Sequence, residues 1–317
     1  MEKTNGRIIK IIDGSANTPL VDAIESHQAL FGSKADVLVT SFSDGETRIE
    51  INENMRGCDV FVVQPTSHGA NEYLMRLYLI LDALKRSNCW QVTAVMPYYG
   101  YGRQDKKLKP RVPISARAVA DLIQFGGVNR VLAMDLHASQ IQGFFNCPVD
   151  NLFGSSIFTQ HMLANLTPDT IVVSPDEGGI ERAIHYSKVL GVGTAMIHKS
   201  RLNPNDVDKM ILLGIVRDKD VVLIDDMFDT ATTICKAAQI LKNAGAKSVT
   251  SYGTHGIFSG NALEKIEKSS FDTVYITDSI RQPDKLPEKI KILTCADLLA
   301  QAILNIHHET SISCLFE

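Results

Sequence analysis

The sequence predicts an α/β protein of two domains with similar layout, each a mainly parallel sheet flanked by helices. Three observations carry that expectation. Short apolar runs of strand length alternate with amphipathic helical stretches, the pattern of βαβ units. The alternation continues on both sides of an irregular stretch near residue 150. The 317 residues suffice for two domains, and 44% hydrophobic with 21% charged residues allows a packed core. The expected domains are 1–150 and 151–317, with the C-terminal tail free to return to the first.

Composition also narrows function. A net charge of −4 gives no support for nucleic-acid binding, so phosphate ligands need local basic clusters. The six cysteines form no Cys-x-x-Cys pair, which indicates neither a zinc site nor a disulfide framework. Reduced thiols suit a cytoplasmic protein. No secretory pattern opens the chain and no apolar run reaches membrane-spanning length.

In the first half, 7–13, 36–42, 46–51, 59–65, 91–98 and 130–136 read as strands. Helices are expected over 21–30, 71–86 and 115–125; Leu74, Leu77, Leu81 and Leu84 share one face of the second. Phe42-Ser43-Asp44-Gly45-Glu46 is a hairpin turn on its own showing. Its functional reading gives Phe42 to a nucleobase face and Asp44 and Glu46 to amino and ribose groups. Residues 97–113 join glycines, prolines, tyrosines and dense positive charge, so they form no regular element. They are either a solvated basic loop or a polyphosphate-binding one. In the latter, Arg103 clamps phosphate and Gln104 reads a base edge. Asp135 and His137 stand two apart at a strand end, on one face if the strand continues. A lone His there is usually structural; beside a carboxylate and a basic loop it suits magnesium or phosphate. Residues 146–154 read as the crossover between domains.

In the second half, helices are expected over 156–166, 180–190 and 296–306, and strands over 170–175, 193–198, 247–253, 273–277 and 290–294. Asp176-Glu177-Gly178-Gly179 precedes a helix; it is a glycine turn or a backbone cradle for phosphate, with Asp176 as a magnesium ligand. Lys199-Ser200-Arg201 leads into a Pro- and Asn-bearing loop, either surface charge or two cations on a flexible arm. The richest stretch is Val221 to Thr233. Four aliphatic residues run into an acidic loop, Asp225 and Asp226, then Asp229, Thr230, Ala231, Thr232 and Thr233, then a helix with Ile234, Ala237, Ala238 and Leu241 on one face. A helix start with hydroxyls attracts phosphate. Paired carboxylates repel phosphate but accept from sugar hydroxyls or help hold hydrated magnesium. A sugar phosphate satisfies both halves; an acidic loop with a Thr cap is the plain alternative.

This stretch resembles the phosphoribosyl-diphosphate loop shared by phosphoribosyltransferases and ribose-phosphate diphosphokinases. Together with the segments around Phe42, Arg103, His137, Asp176 and Lys199, nearly the whole chain is similar to the ribose-phosphate diphosphokinase family. The resemblance implies two phosphoribosyltransferase-like domains and transfer of the β,γ-diphosphoryl group of Mg-ATP to O1 of ribose 5-phosphate, releasing AMP. It implies ATP contacts at Arg103 and Gln104, and at Phe42, Asp44 and Glu46 from a neighbouring subunit. It implies Mg2+ at His137 and Asp176, a diphosphate loop at Asp176, Glu177, Gly178 and Gly179, and a catalytic arm with Lys199 and Arg201. Asp225 and Asp226 would take the ribose hydroxyls, and Asp229, Thr230, Ala231, Thr232 and Thr233 the 5-phosphate. A homo-oligomer follows, with dimer, tetramer and hexamer all open. The alternatives are a phosphoribosyltransferase, which carries one such domain, and a non-catalytic regulatory partner, expected to lose charges that this chain keeps.

One departure stands out. The family's phosphate loop reads Asp-Thr-x-Gly-Thr, whereas the fourth place here is Thr232, a β-branched residue that tolerates positive φ poorly. Either that place has negative φ or the loop is reshaped. Thr232→Gly is expected to leave turnover measurable and to change the KM for ribose 5-phosphate; steady-state kinetics showing an unchanged KM would make the place neutral.

Overall fold

The structure, a computed structural model, describes residues 6–200 and 209–316, for residues 199, 200 and 209 the backbone alone. The chain forms two compact units. One comprises Met1–Phe153, Ser279–Arg281 and Cys295–Glu317; the other comprises Gly154–Asp278 and Gln282–Thr294.

The first unit begins with β1 (Ile9–Asp13) and α1 (Thr18–Glu25), then the hairpin strands β2 (Val37–Ser41) and β3 (Thr47–Ile51). It continues with β4 (Asp59–Val63), α2 (Ala70–Arg86), β5 (Gln91–Met96), α3 (Ser115–Phe125), β6 (Arg130–Met134) and β7 (Val149–Leu152). Helix α1 starts earlier than its apolar spacing suggests because Pro19 sits in its first turn with φ already helical. The sheet is parallel, in the order β1-β4-β5-β6-β7, and β4 is buried along its whole length, as a strand covered on both faces must be. Leu74, Leu77, Leu81 and Leu84 of α2 join the core on one face. Residues 149–152, expected as part of an irregular crossover, form the edge strand β7. Pro148 stands just ahead of the strand rather than inside it, and Asp150 ion-pairs with Arg130 of β6 at 2.5 Å.

The second unit holds α4 (Ser155–Ala164), β8 (Thr170–Ser174), α5 (Ile180–Leu190), β9 (Gly193–Ser200), β10 (Lys209–Leu213), β11 (Asp220–Phe228) and α6 (Thr232–Asn243). Then come β12 (Ser248–Gly256), α7 (Ala262–Glu267), β13 (Thr273–Thr277) and β14 (Ile290–Leu293). Its sheet runs β10-β9-β8-β11-β12-β13-β14, parallel except for the β9–β10 pair. Successive strand residues serve opposite faces: Val172 and Ile224 pack with α4 and α5, Val173 and Leu223 with α6 and α7.

The last helix, α8 (Ala296–His307), belongs to the first unit, where it packs on α1. Its anchor is a buried contact between His307 Nδ1 and Asp59 Oδ2 at 3.0 Å. All six cysteines are free thiols, and among the described residues no helix is long and apolar enough to cross a membrane.

At the amino edge of the second sheet, Asp220 accepts from Ser248 Oγ and Thr167 Oγ1, both at 2.7 Å, with Lys247 at 3.5 Å. These hydrogen bonds, Ser248 first, hold the Asp220 carboxyl below its ordinary value against the opposing effect of burial. A carboxylate depressed in the fold adds stability above its unfolded pKa and loses it as pH falls through the folded one. Asp220→Asn should therefore cost about 1–2 kcal/mol at pH 7, and less as pH falls below the normal carboxylate range. Chemical denaturation across that range checks this; an equal loss at every pH would mean the charge is irrelevant.

Candidate functional site

Strand order reverses in the second unit: from β8 the chain steps to β9 on one side, and later returns to place β11 on the other. The loops leaving β8 and β11 therefore diverge and open a crevice beyond their carboxyl ends, where open α/β sheets bind ligands. The strand lengths deepen it. Pairing of β11 with β8 stops at Leu223↔Val173, whereas pairing with β12 continues to Phe228↔Gly256. Asp225 and Asp226, expected in a loop, thus lie on the strand, because β12 goes on supplying partners after β8 has ended.

Asp226 is buried and Asp225 half-buried. The Asp226 N–H donates to Asp225 Oδ1 at 2.9 Å. Arg182, in the first turns of α5, faces both carboxylates from 3.9 Å (Asp225) and 3.8 Å (Asp226). Burial first, then the charge of Asp226, push the Asp225 carboxyl well above the usual carboxylate range; Arg182 opposes this and Asp176 adds to it. A crowded carboxylate pair of this kind suits sugar hydroxyls or a cation.

The two loops are built differently. Asp176 folds the first back on itself: its Oδ1 accepts from the Gly179 N–H at 3.1 Å, and its carbonyl accepts from Ser174 Oγ at 2.6 Å. A Cβ on Gly179 would stand 2.9 Å from that hydroxyl, so the turn needs glycine there; at Gly178 there is room. Glu177 pairs with His198 of β9. In the second loop, Asp229, Thr230 and Ala231 lead to Thr232, the first residue of α6, with Thr233 next. The left-handed conformation falls on Ala231 (φ 57°), and Thr232 is helical, which resolves the question its β-branch raised in favour of negative φ. First-turn N–H groups of a helix have no carbonyl partner within it, so this end favours an anion.

In the first unit, Gly100 lies against Thr66: its N–H donates to Thr66 Oγ1 at 2.8 Å, and a Cβ would come within 2.3 Å of the Thr66 carbonyl oxygen. Tyr99 Oη, buried, donates to the Ala116 carbonyl at 2.8 Å. From that anchored stem Arg103 and Gln104 reach the surface, with Gln104 Oε1 accepting from Ser115 Oγ. Residues 97–113 contain no helix or strand, as expected. Strand β6 stops at Met134 and Asp135 adopts φ 41°, so strand alternation does not place Asp135 and His137 on one face; His137 is exposed. Phe42, Asp44 and Glu46 form an exposed hairpin tip closed by the Phe42 N–H to the Glu46 carbonyl at 2.7 Å, with Gly45 at φ 93°. The Arg48 guanidinium lies 6.0 Å from the Phe42 ring centroid.

The side chain of Lys199 and the whole of Arg201 lie outside the described residues; the Lys199 backbone pairs with Met210 in the β9–β10 ladder. The structure thus joins Asp176 and the Asp225–Asp226 pair electrostatically. It adds three residues the sequence reading passed over. Arg182 is signalled only by its place, three residues after Gly179. His198 is signalled by adjacency to Lys199. Lys265 of α7, which contacts the second loop, has no local signal.

These features define an α/β protein with a polar ligand crevice at the carboxyl edge of a parallel sheet and a separate glycine- and arginine-bearing surface loop. Residues 9–127 match the N-terminal domain of ribose phosphate pyrophosphokinase, and residues 201–317 the phosphoribosyl synthetase-associated domain. The chain is 47% identical to a ribose-phosphate pyrophosphokinase of Thermotoga maritima, across 97% of this chain and 98% of that one. It is 45% identical to one of Helicobacter pylori, across 99% and 98%. Its fold superposes with a TM-score of 0.89 on the crystal structure of phosphoribosylpyrophosphate synthetase from Mycobacterium smegmatis, 35% identical, covering 96% of this chain and all of that one. The chain belongs to the ribose-phosphate pyrophosphokinase family.

A group whose pKa is raised by folding costs stability while charged, and that cost fades as pH falls through the folded value. Asp225→Asn removes one of the two crowded charges. It should raise the thermal midpoint at pH 7 by a few degrees while abolishing ligand binding in the crevice. Paired melts at pH 7 and pH 5 check this, the gain shrinking at the lower pH; a lowered midpoint at pH 7 would show that the pair is not strained.

Proposed function

We propose that this chain catalyses the reaction its family is named for: transfer of the β,γ-diphosphoryl group of ATP to the 1-hydroxyl of ribose 5-phosphate, with AMP as leaving group. The supporting observation is the carboxylate pair at the end of β11 followed within a few residues by a hydroxyl-rich helix start. In this reading Asp225 and Asp226 accept from the ribose hydroxyls. Asp229, Thr230, Ala231, Thr232 and Thr233 surround the 5-phosphate, and Asp176, Glu177, Gly178 and Gly179 face the incoming diphosphate. Orientation and charge neutralisation are what such a transfer chiefly asks of a protein. Arg103 and Gln104 hold the triphosphate and base of ATP, and Lys199 and Arg201 bring positive charge to the group in transfer.

Among the described residues, no three His, Cys, Asp or Glu side chains form a metal cage. Magnesium does not require one, since it keeps several waters and takes one or two carboxylates plus substrate phosphates. Asp176, beside the acidic pair, fits that donor chemistry, with His137 as the second candidate contact. When bound, Mg2+ would neutralise phosphate charge. We assign Phe42, Asp44 and Glu46 to the ATP pocket of a neighbouring subunit in a homo-oligomer, a hexamer being one size consistent with this, and the protein to the cytoplasm. An exposed aromatic tip carrying carboxylates, at the end of a two-stranded hairpin whose Val37, Val39, Ile49 and Ile51 pack on the core, suits that role.

With ribose 5-phosphate, Mg2+ and ATP, the protein should release AMP in step with sugar consumption. Asp226→Asn should lower kcat/KM at least about a hundredfold, as loss of a buried charged contact does. Sugar-independent AMP release, or none, would sink the reading. Mixing Phe42→Ala with Asp226→Asn protein should restore activity if the pocket is shared; no recovery in a confirmed mixed oligomer would confine the hairpin to its own subunit.

A further inference from the structure

Lys265 lies in α7, far along the chain from the crevice loops, yet its Nζ donates to two groups of the α6 entry loop. One is the Thr230 carbonyl at 3.1 Å and the other is Thr232 Oγ1 at 2.7 Å. These acceptors flank Ala231, the residue in the left-handed conformation. That conformation costs a non-glycine residue about 1 kcal/mol and persists only where neighbours hold it. The first contact fixes the Thr230–Ala231 peptide plane and the second fixes the first side chain of α6. Backbone hydrogen bonds hold the loop on its other flank: Phe258 N–H to the Phe228 carbonyl at 2.9 Å and Ser259 N–H to the Asp229 carbonyl at 3.0 Å. Glycine at position 232 would offer no hydroxyl, so the second of these contacts depends on Thr232.

We propose that Lys265 is a positioning residue that latches the loop 229–233 through Thr230 and Thr232, so that the loop is preorganised for a phosphate monoester. The proposal rests on the assignment of this loop to the sugar phosphate. Lys265 acts through the loop rather than on the reacting atoms. Its loss should weaken sugar-phosphate capture and leave ATP affinity alone.

The test uses the full-length protein with Lys265→Met, which keeps length without charge, Lys265→Arg, which restores a donor, and Thr232→Val, which removes the acceptor and keeps the shape. Two readouts are taken. Hydrogen exchange of a peptide spanning the loop in the ligand-free protein needs no function at all; Lys265→Met and Thr232→Val should both speed it, and Lys265→Arg should restore protection. In steady-state kinetics, Lys265→Met should raise the KM for ribose 5-phosphate about tenfold, with the KM for ATP within about twofold. Adding it to Thr232→Val should do less than the two separate effects combined, as expected of partners in one contact. Unchanged exchange, full additivity, or equal rises in both KM values would overturn the latch. If wild-type protein fails to use ribose 5-phosphate while the exchange pattern holds, the substrate assignment fails and the latch stands.

Discussion

The second unit is governed by a mismatch of strand lengths. β11 continues past the end of β8 because β12 still offers it a partner ladder, and those extra residues include two adjacent carboxylates. A strand with a ladder on one side is rigid but leaves its other edge open. Charges placed there are fixed by the strand, and Arg182 faces them at 3.8–3.9 Å. Such a pair would be costly in a core and is tolerable only where a ligand completes it.

The surrounding loops follow from that frame. The turn after β8 closes quickly and leaves the crevice open: Asp176 accepts from the Gly179 N–H, and a Cβ on Gly179 would crowd the Ser174 hydroxyl. The turn after β11 must change direction from strand to helix within three residues, and the left-handed Ala231 makes the change. Phe228, the last strand residue, packs on Gly253 of β12, where a Cβ would meet its ring at 2.5 Å, so the strand end cannot shift without moving both loops.

Much of the fold was legible because helix and strand periods are local properties. The four leucines of α2 and the apolar runs of β4 and β11 reveal themselves within a few residues. What escaped depended on pairing over distance. Residues 149–152 are a strand because β6 lies beside them, and Asp225–Phe228 are strand because β12 does. Asp135 leaves the strand where pairing stops, which broke the inference that it shares a face with His137. The acidic pair and the hydroxyl-rich turn were readable as chemistry since their members are contiguous. Arg182 and Lys265 were not, since their partners lie across the sheet edge and in another helix.

The two units share a layout yet present their candidate residues in different ways. In the first sheet β1 is bridged to Lys34 on one side and paired with β4 on the other, so the chain reverses there too, but the candidate residues follow other strands. Its candidate residues ride instead on a long loop and a hairpin, with Arg103, Gln104 and Phe42 all facing solvent. Such groups can clamp a charged, flexible chain of phosphates, which needs donors more than enclosure. They cannot by themselves exclude water from a reacting centre. In the second unit the candidate carboxylates are partly or fully buried at the end of a paired strand. The candidate residues thus stand on surface segments in the first unit, and on a strand end and the turns beside it in the second.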